Sequence, residues 1–520
     1  MSEMGSLLNG VSRRTFMKGV ATAGVGAALA AGLAGCSSPK SSEDKGSSSN
    51  QSVPNKIDKT IDCDVCVVGA GASGLAAAVQ AADLGAQVVC LESQGVTGGN
   101  INGVEGCFGI GSSMQKDLGI DIDSGATIRS EIMASQMRAS GPGYVDMVHA
   151  SGANIDWLMD NGVKFGGVDG DKGTLLVFHR FPSGHGKEDY AAPMTDKARE
   201  LGVQFEMETA ATLLIKNDSG AVRGVYAKGP DGTVQVNAKS VIVATGGFAQ
   251  NDELMGKLVT NKHLTYGGMD GHDGSGHSMC IDAGARDRID SAALLIAFDI
   301  KGTPGYYDGG LFAFVLGVGA PYAVWVNQDG ERYANEDCAS ENAMMMCMPT
   351  LFQEDSLCIL DSNMMKAYAN GADDEIAKQI EQGKQAGTIY EADSLKELAS
   401  AAGIPEDAFV ATMEEYNGFV DAGSDKNYGK EASSLVKFEK APFYALRIYG
   451  GLNSTIGSVY TDRSFHALDN ELKPIDGLYV VGVEGAMLWS NLYTVNVSGG
   501  CNANNVNSGR VAAKDAVANL

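Results

Sequence analysis

The run Asp62-Cys63-Asp64-Val65-Cys66-Val67-Val68-Gly69-Ala70-Gly71-Ala72-Ser73-Gly74 constrains this chain more than any other. An apolar strand enters a glycine-rich turn, and an alanine-rich helix follows to Leu84. Gly85 ends the helix, and a second strand, Gln87 to Leu91, stops at Glu92. The three glycines have different jobs. Gly69 permits the tight turn, Gly71 lets a diphosphate approach backbone N–H groups at the helix N-terminus, and Gly74 lets helix and strand pack closely. An acid ending the second strand accepts hydrogen bonds from ribose hydroxyls. Strand, turn, helix and acid in this order predict an α/β fold of Rossmann type. Its dinucleotide would touch Gly69, Gly71, Ala72, Ser73, Gly74, Glu92 and Ser93.

Further glycine elements select the dinucleotide. Thr97-Gly98-Gly99-Asn100 follows Glu92, suited to lie along the flavin side of FAD. A hairpin, Val222 to Ala227 and Thr233 to Val236 around Pro230-Asp231-Gly232, leads into the buried strand end Val243-Ala244-Thr245-Gly246-Gly247. A third strand, Gly477 to Val481, ends in Gly482-Val483-Glu484, and Gly499-Gly500 and a closing helix from Gly509-Arg510 follow. NAD enzymes have no need of these extra elements. The expected cofactor is therefore FAD, reached also by Gly98, Gly99, Asn100, Ala244, Thr245, Gly246, Asp273, Glu484, Gly499 and Gly500. No histidine occurs in Gly98 to Gly103, so the flavin is expected to be non-covalent.

The 520 residues carry a formal net charge of −25, which argues against nucleic acid as a partner. At the N-terminus, Ser12-Arg13-Arg14-Thr15-Phe16 and an Ala/Gly run to Gly35 read as a twin-arginine export signal. Leu33-Ala34-Gly35-Cys36 has the form of a lipobox, with an ordinary cleavage site as the alternative. Residues 37–60 are polar and read as a flexible tether. The expected location is extracytoplasmic, lipid-anchored through Cys36 if the lipobox is used. Cys63 and Cys66 sit in a strand where odd spacing points them to opposite faces, so no shared metal is expected. Cys338, Cys347 and Cys358, with Cys280, Cys107 or Cys501, leave an iron–sulfur cluster open, the alternative being buried free thiols.

On GAGASGLAAA, Glu92-x6-Gly99-Asn100, VIVATGGF, Gly271 to Gly276, VNQDGERYANE and GLYVVGVE, the chain resembles the FAD-binding fumarate reductase and succinate dehydrogenase flavoproteins. That family also holds urocanate reductases, 3-ketosteroid dehydrogenases and the cardiac glycoside reductases of gut bacteria. The resemblance implies a signal over 1–36 and a FAD-binding domain of 61–292 plus 440–520. An α+β capping domain, 293–439, is inserted between its halves. Substrate would lie between cap and flavin.

The departures narrow the reaction. The family's arginine acid falls at Ser340, its relay Glu and Arg near Leu316 and Gly319, its clamp histidine at Ser454, and its clamp arginine at Asn496 or Val497. A dicarboxylate needs paired cationic donors to offset its desolvation. What replaces them is apolar: Phe312, Phe314, Leu316, Val318, Tyr322, Trp325, Met344, Met345, Met346, Met348, Trp489 and their neighbours. The expected reaction is reduction of an activated C=C bond in a bulky neutral enone or lactone. Tyr493 would polarise the carbonyl, and Tyr449, Tyr333 or Glu341 would supply the proton. Arg332 and Glu336 are expected to brace their loop as an ion pair. Electrons would come from a membrane quinol or cytochrome donor. A ketosteroid-type ring dehydrogenase and a non-enzymatic flavin electron carrier are the alternatives.

Overall fold

The computed structural model describes residues 53–171, 175–304, 322–338, 347–369, 373–491, 493–494 and 497–520. The first strand, β1 (Lys59–Val68), pairs in parallel with β2 (Val88–Leu91) and with the long strand Gly232–Val243. Pro474–Val480 and Gln204–Glu206 extend the sheet in parallel on either side. The helix α1 (Ala72–Asp83) connects β1 to β2. Its alanines let it lie flat on the sheet, and Leu75 and Val79 are fully buried, each contributing about 1.5–3 kcal/mol of apolar transfer. The closing helix packs against α1 so tightly that a Cβ on Gly509 would stand 3.1 Å from the Ala77 nitrogen. It runs Gly500–Ala518 and so starts nine residues before the expected Gly509, with Gly499 in left-handed conformation (φ 78°) at its head.

The amides of Asp64 and Val65 both donate to the Gln87 carbonyl, at 2.9 and 3.1 Å, while the register with Gly232–Val243 stays constant, Cys63 opposite Ala238 and Cys66 opposite Val241. Ala238 and Val241 belong to one cluster, and Cys63 and Cys66 pack there with them, correcting the expectation of opposite faces. The described cysteines named for an iron–sulfur cluster do not gather. Cys280, Cys358 and Cys107 belong to three separate cores, and among the described residues no three His, Cys, Asp or Glu gather as a metal site. The side chain of Cys347 lies outside the described residues.

Of the further sheets, one is mixed, with Leu264–Tyr266 parallel and Ala293–Asp299 antiparallel to its central strand, and one is antiparallel throughout. Tyr449–Ile456 lies between Leu264–Tyr266 and Ala293–Asp299, while Val324–Asn327, Ser356–Asp361, Phe443–Arg447 and Ile389–Ala392 form a four-stranded sheet. The latter is packed by helices Ser362–Ala369, Asp373–Ala386, Leu395–Ala402 and Glu406–Ala422 around Trp325, Phe409 and Tyr416. No helix among the described residues is long and apolar enough to cross a membrane. The twin-arginine segment and Cys36 lie outside the described residues.

Candidate functional site

The carboxyl ends of β1, β2, Gly232–Val243 and Pro474–Val480 open into one crevice, where an open parallel sheet places its ligand. At its centre, Gly69 has φ 102°, and a Cβ there would stand 2.5 Å from the Ala244 carbonyl oxygen. Only glycine allows that approach. The turn delivers α1 with Gly71 as an N-cap lacking a side-chain cap, so the first-turn amides face the crevice without a partner side chain. The Thr97–Gly103 loop lies over them. Gly98 donates to the Ala70 carbonyl at 2.8 Å, and Gly71 and Gly98 form an isolated parallel bridge.

Asn100 holds that loop in place. Its amide donates to the Asn453 carbonyl at 2.9 Å, and its oxygen accepts from the Met269 N–H at 2.7 Å. Glu92 closes the far end. Its carboxylate accepts from the Ala70 and Gln94 amides, each at 2.8 Å, and from Ser93 at 3.3 Å. The carboxylate expected to meet a ribose thus also holds the glycine turn. A bare helix start, a crevice lined by side-chain-free residues and the unpaired buried oxygens Asn102 Oδ1 and Asn505 Oδ1 fit a diphosphate-linked dinucleotide.

Other expected residues are placed differently from one another. Glu484 is fully buried, and its carboxylate accepts from the Thr245 hydroxyl and the Gly247 N–H, each at 2.9 Å, and from the Ser458 hydroxyl. It ties three loops of the crevice together. Gly246 lies against His272. Asp273 is exposed and accepts from the Ser275 N–H at 2.9 Å, at the start of helix Ser275–Asp282. Gly499 is required by packing, since a Cβ there would stand 2.5 Å from the Phe108 nitrogen, and Gly500 faces Trp489 and Tyr493.

The four groups expected to handle the substrate separate clearly. The Tyr493 hydroxyl accepts from the Cys501 N–H at 3.0 Å, and its ring meets Trp489 edge-on at 4.9 Å. The Tyr333 hydroxyl lies 3.0 Å from Thr350 Oγ1 and makes a short contact with Ser356 Oγ, and burial pushes its pKa well up. Tyr449 is half-buried, its ring edge-on to His263 at 5.2 Å, and its hydroxyl bonds no described residue. Burial raises its pKa, so it holds its proton firmly. Glu341 lies outside the described residues, as do Phe312, Phe314, Leu316, Val318 and Met344 to Met346.

The cationic side chains near the crevice are committed elsewhere. Arg288 is buried and donates to the carbonyls of Gly457 at 2.9 Å and Trp489 at 2.7 Å. Arg447 binds Asp355 at 3.0 Å and the Ala402 carbonyl at 2.9 Å. Arg510 binds Gln80 and Asn154 over the Trp157 ring, and burial brings its pKa down to about 10. Arg332 pairs with Glu336 at 2.7 Å, the expected brace, and with Asp425 at 2.8 Å. Ser454, at the clamp position, is buried and donates only to the Thr455 carbonyl.

Sequence reading overlooked His272, Tyr266 and Asn453. His272 does lie within the Gly271–Gly276 segment, where the neighbouring acid drew attention first.

Comparison with known proteins agrees with this geometry. The family model of an FAD binding domain matches residues 64–488. The chain is 28% identical over 476 residues to a vinyl phenol reductase of Lactiplantibacillus plantarum, covering 87% of this chain and 96% of that protein. It is 25% identical over 524 residues to a digoxin reductase of Eggerthella lenta, covering 91% of each. Among solved structures, the open conformation of a flavocytochrome c3 fumarate reductase aligns with a TM-score of 0.64 at 25% identity, covering 89% of this chain and 79% of that one.

Proposed function

From the premise that this chain belongs to the FAD binding domain family and is an FAD-dependent oxidoreductase, we propose that it reduces the activated C=C bond of a bulky, neutral enone or lactone. One observation carries this reading. Arg288, Arg332, Arg447 and Arg510 are all spent on protein carbonyls, amides and carboxylates, and Ser454 stands where the fumarate reductases have a histidine. A dianion entering such a crevice would lose its hydration without gaining paired donors. A neutral conjugated carbonyl has no such cost. Relatives named for vinyl phenol and for digoxin support the same direction.

Bound FAD would supply the hydride to the β-carbon. The chain's own residues do the rest. Gly69 to Gly74, Thr97 to Asn100 and Ala244 to Gly247 would hold the dinucleotide, with Glu92 on the adenosine ribose. Tyr449 is the proton source we favour, because its half-buried ring is held edge-on by His263 and its hydroxyl bonds no described residue. Tyr493 accepts the Cys501 N–H through an oxygen lone pair, a bond that does not use its O–H hydrogen and is compatible with polarising a substrate carbonyl. We assign the protein to the extracytoplasmic side through its twin-arginine segment, with a membrane quinol or cytochrome donor.

The test is an anaerobic screen with viologen-reduced enzyme, following flavin reoxidation with enones, vinyl phenols, acrylates and fumarate. Rapid reoxidation by a neutral enone with fumarate at background is expected. Losing one electrostatic donor costs on the order of 10² to 10³ in rate, and several are replaced here. Turnover of fumarate as fast as that of any enone would overturn the reading.

A further inference from the structure

His272 has no part in the reading above, yet it stands inside the crevice. It is 7% exposed and lies between strand Leu264–Tyr266 and helix Ser275–Asp282. Its Nδ1 is 2.7 Å from the Tyr266 hydroxyl and 2.8 Å from the Met269 carbonyl oxygen. A carbonyl only accepts, and the Tyr266 hydroxyl is itself 2.8 Å from that carbonyl, so Nδ1 carries the hydrogen of the neutral ring. The lone pair is then on Nε2, which bonds no described residue.

Nε2 has a defined address. It abuts Gly246, where a Cβ would collide with it, and Gly246 and Gly247 both have φ 94°. Gly246 follows Ala244 and Thr245, which touch the Gly69 turn, and Gly271 approaches the Gln94 amide beside Glu92. His272 therefore sits between the ribose end of the crevice and its glycine turn. The charged groups facing it are Glu484 from the end of strand Pro474–Val480, Glu92 from the end of β2, and Asp273 from its own loop. Tyr266 is the titratable neighbour on the adjoining strand, and Asp270 acts on Tyr266. Burial, the largest influence, pushes the His272 pKa below its ordinary value of 6.5, while the three carboxylates oppose this.

We propose that His272 is a proton-linked ligand of the FAD diphosphate: Nε2 takes up a proton as the dinucleotide enters and donates it as a hydrogen bond to a diphosphate oxygen. Burial disfavours imidazolium at His272 more than the carboxylates favour it. An arriving diphosphate adds negative charge at close range and reverses that balance. The bound-state pKa is then the raised one. The interaction is at full strength at low pH and is lost as pH rises through the bound-state value. No bond is made or broken beyond this proton. Nothing in the inference depends on which alkene is reduced, so the two readings fail independently.

The test uses the holoenzyme. Phosphorus NMR of the bound FAD is followed from pH 6 to 9, and FAD release on warming is followed by flavin fluorescence over the same range. In wild type the diphosphate resonances are expected to shift with pH, and release should be about tenfold faster at the alkaline end, the equivalent of one pKa unit. In His272→Gln both dependences should disappear. Diphosphate resonances that ignore pH in wild type overturn the proposal without needing any variant. So does a pH dependence that survives in His272→Gln.

Discussion

Replacing Glu336 with glutamine is expected to destabilise the protein by about 3 kcal/mol, the low end of the cost of stripping one partner from a buried ion pair. Glu336 is fully buried. Its carboxylate accepts from Arg332 Nε at 2.9 Å, Arg332 Nη2 at 2.7 Å, the Trp325 N–H at 3.1 Å and Lys430 Nζ at 3.2 Å. Arg332 also binds Asp425 at 2.8 Å, so two cations face two carboxylates in a buried site. Burial draws the Arg332 pKa down, but Glu336 and then Asp425 outweigh it and the net shift is upward; burial lowers that of Lys430. Glutamine keeps one acceptor oxygen and the shape but leaves a net positive charge. Removing Lys430 at the same time, as Glu336→Gln with Lys430→Met, restores neutrality and should recover about 2 kcal/mol, within the range of couplings between contacting residues. Urea unfolding followed by tryptophan fluorescence measures both, since Trp325 lies in this cluster. A Glu336→Gln protein within 1 kcal/mol of wild type, or a double variant no more stable than Glu336→Gln alone, refutes charge balance as what holds the loop.

Acid precipitation should release all yellow colour into the supernatant, because the Gly98–Gly103 loop has no histidine to bond the flavin; colour in the washed pellet would contradict this. Tyr449→Phe should lower enone turnover by roughly tens to hundreds of fold with FAD retained, whereas Tyr333→Phe should cost about 1 kcal/mol of stability through its hydrogen bonds to Thr350 and Ser356; steady-state kinetics beside urea melts separates them. His466 lies between Asp462 at 3.0 Å and Asp515 at 3.1 Å, and its hydrogen bond to Asp462 raises its pKa above 6.5. Its contribution, under about 1 kcal/mol, is complete below pH 6.5 and lost as pH rises through the folded value. The urea midpoint should therefore fall between pH 6 and 8 in wild type and stay flatter in His466→Gln.

The glycine turn, the acid at Glu92 and the strand ends at Gly246 and Gly482 are legible in the chain because each is local. A φ above zero, an uncapped helix start or a strand stop depends on a few consecutive residues. The Arg332–Glu336 pair, four residues apart, is local in the same way. The absence of a cationic clamp is equally a property of the sequence, since no histidine occurs between His277 and His466 and no arginine between Arg463 and Arg510. What the sequence could not reveal depends on partners far along the chain. Glu484 reads as a cofactor contact, and only the fold shows that Thr245, Gly247 and Ser458 donate to its carboxylate. Cys63 and Cys66 share a cluster because their partners on the neighbouring strand, Ala238 and Val241, do so too. His272 is one polar residue in a loop until folding brings Gly246 and the Glu484 and Glu92 carboxylates around it. Backbone conformation follows from neighbours in sequence, but the environment of a polar side chain follows from neighbours in space, and only the packed tertiary structure supplies those.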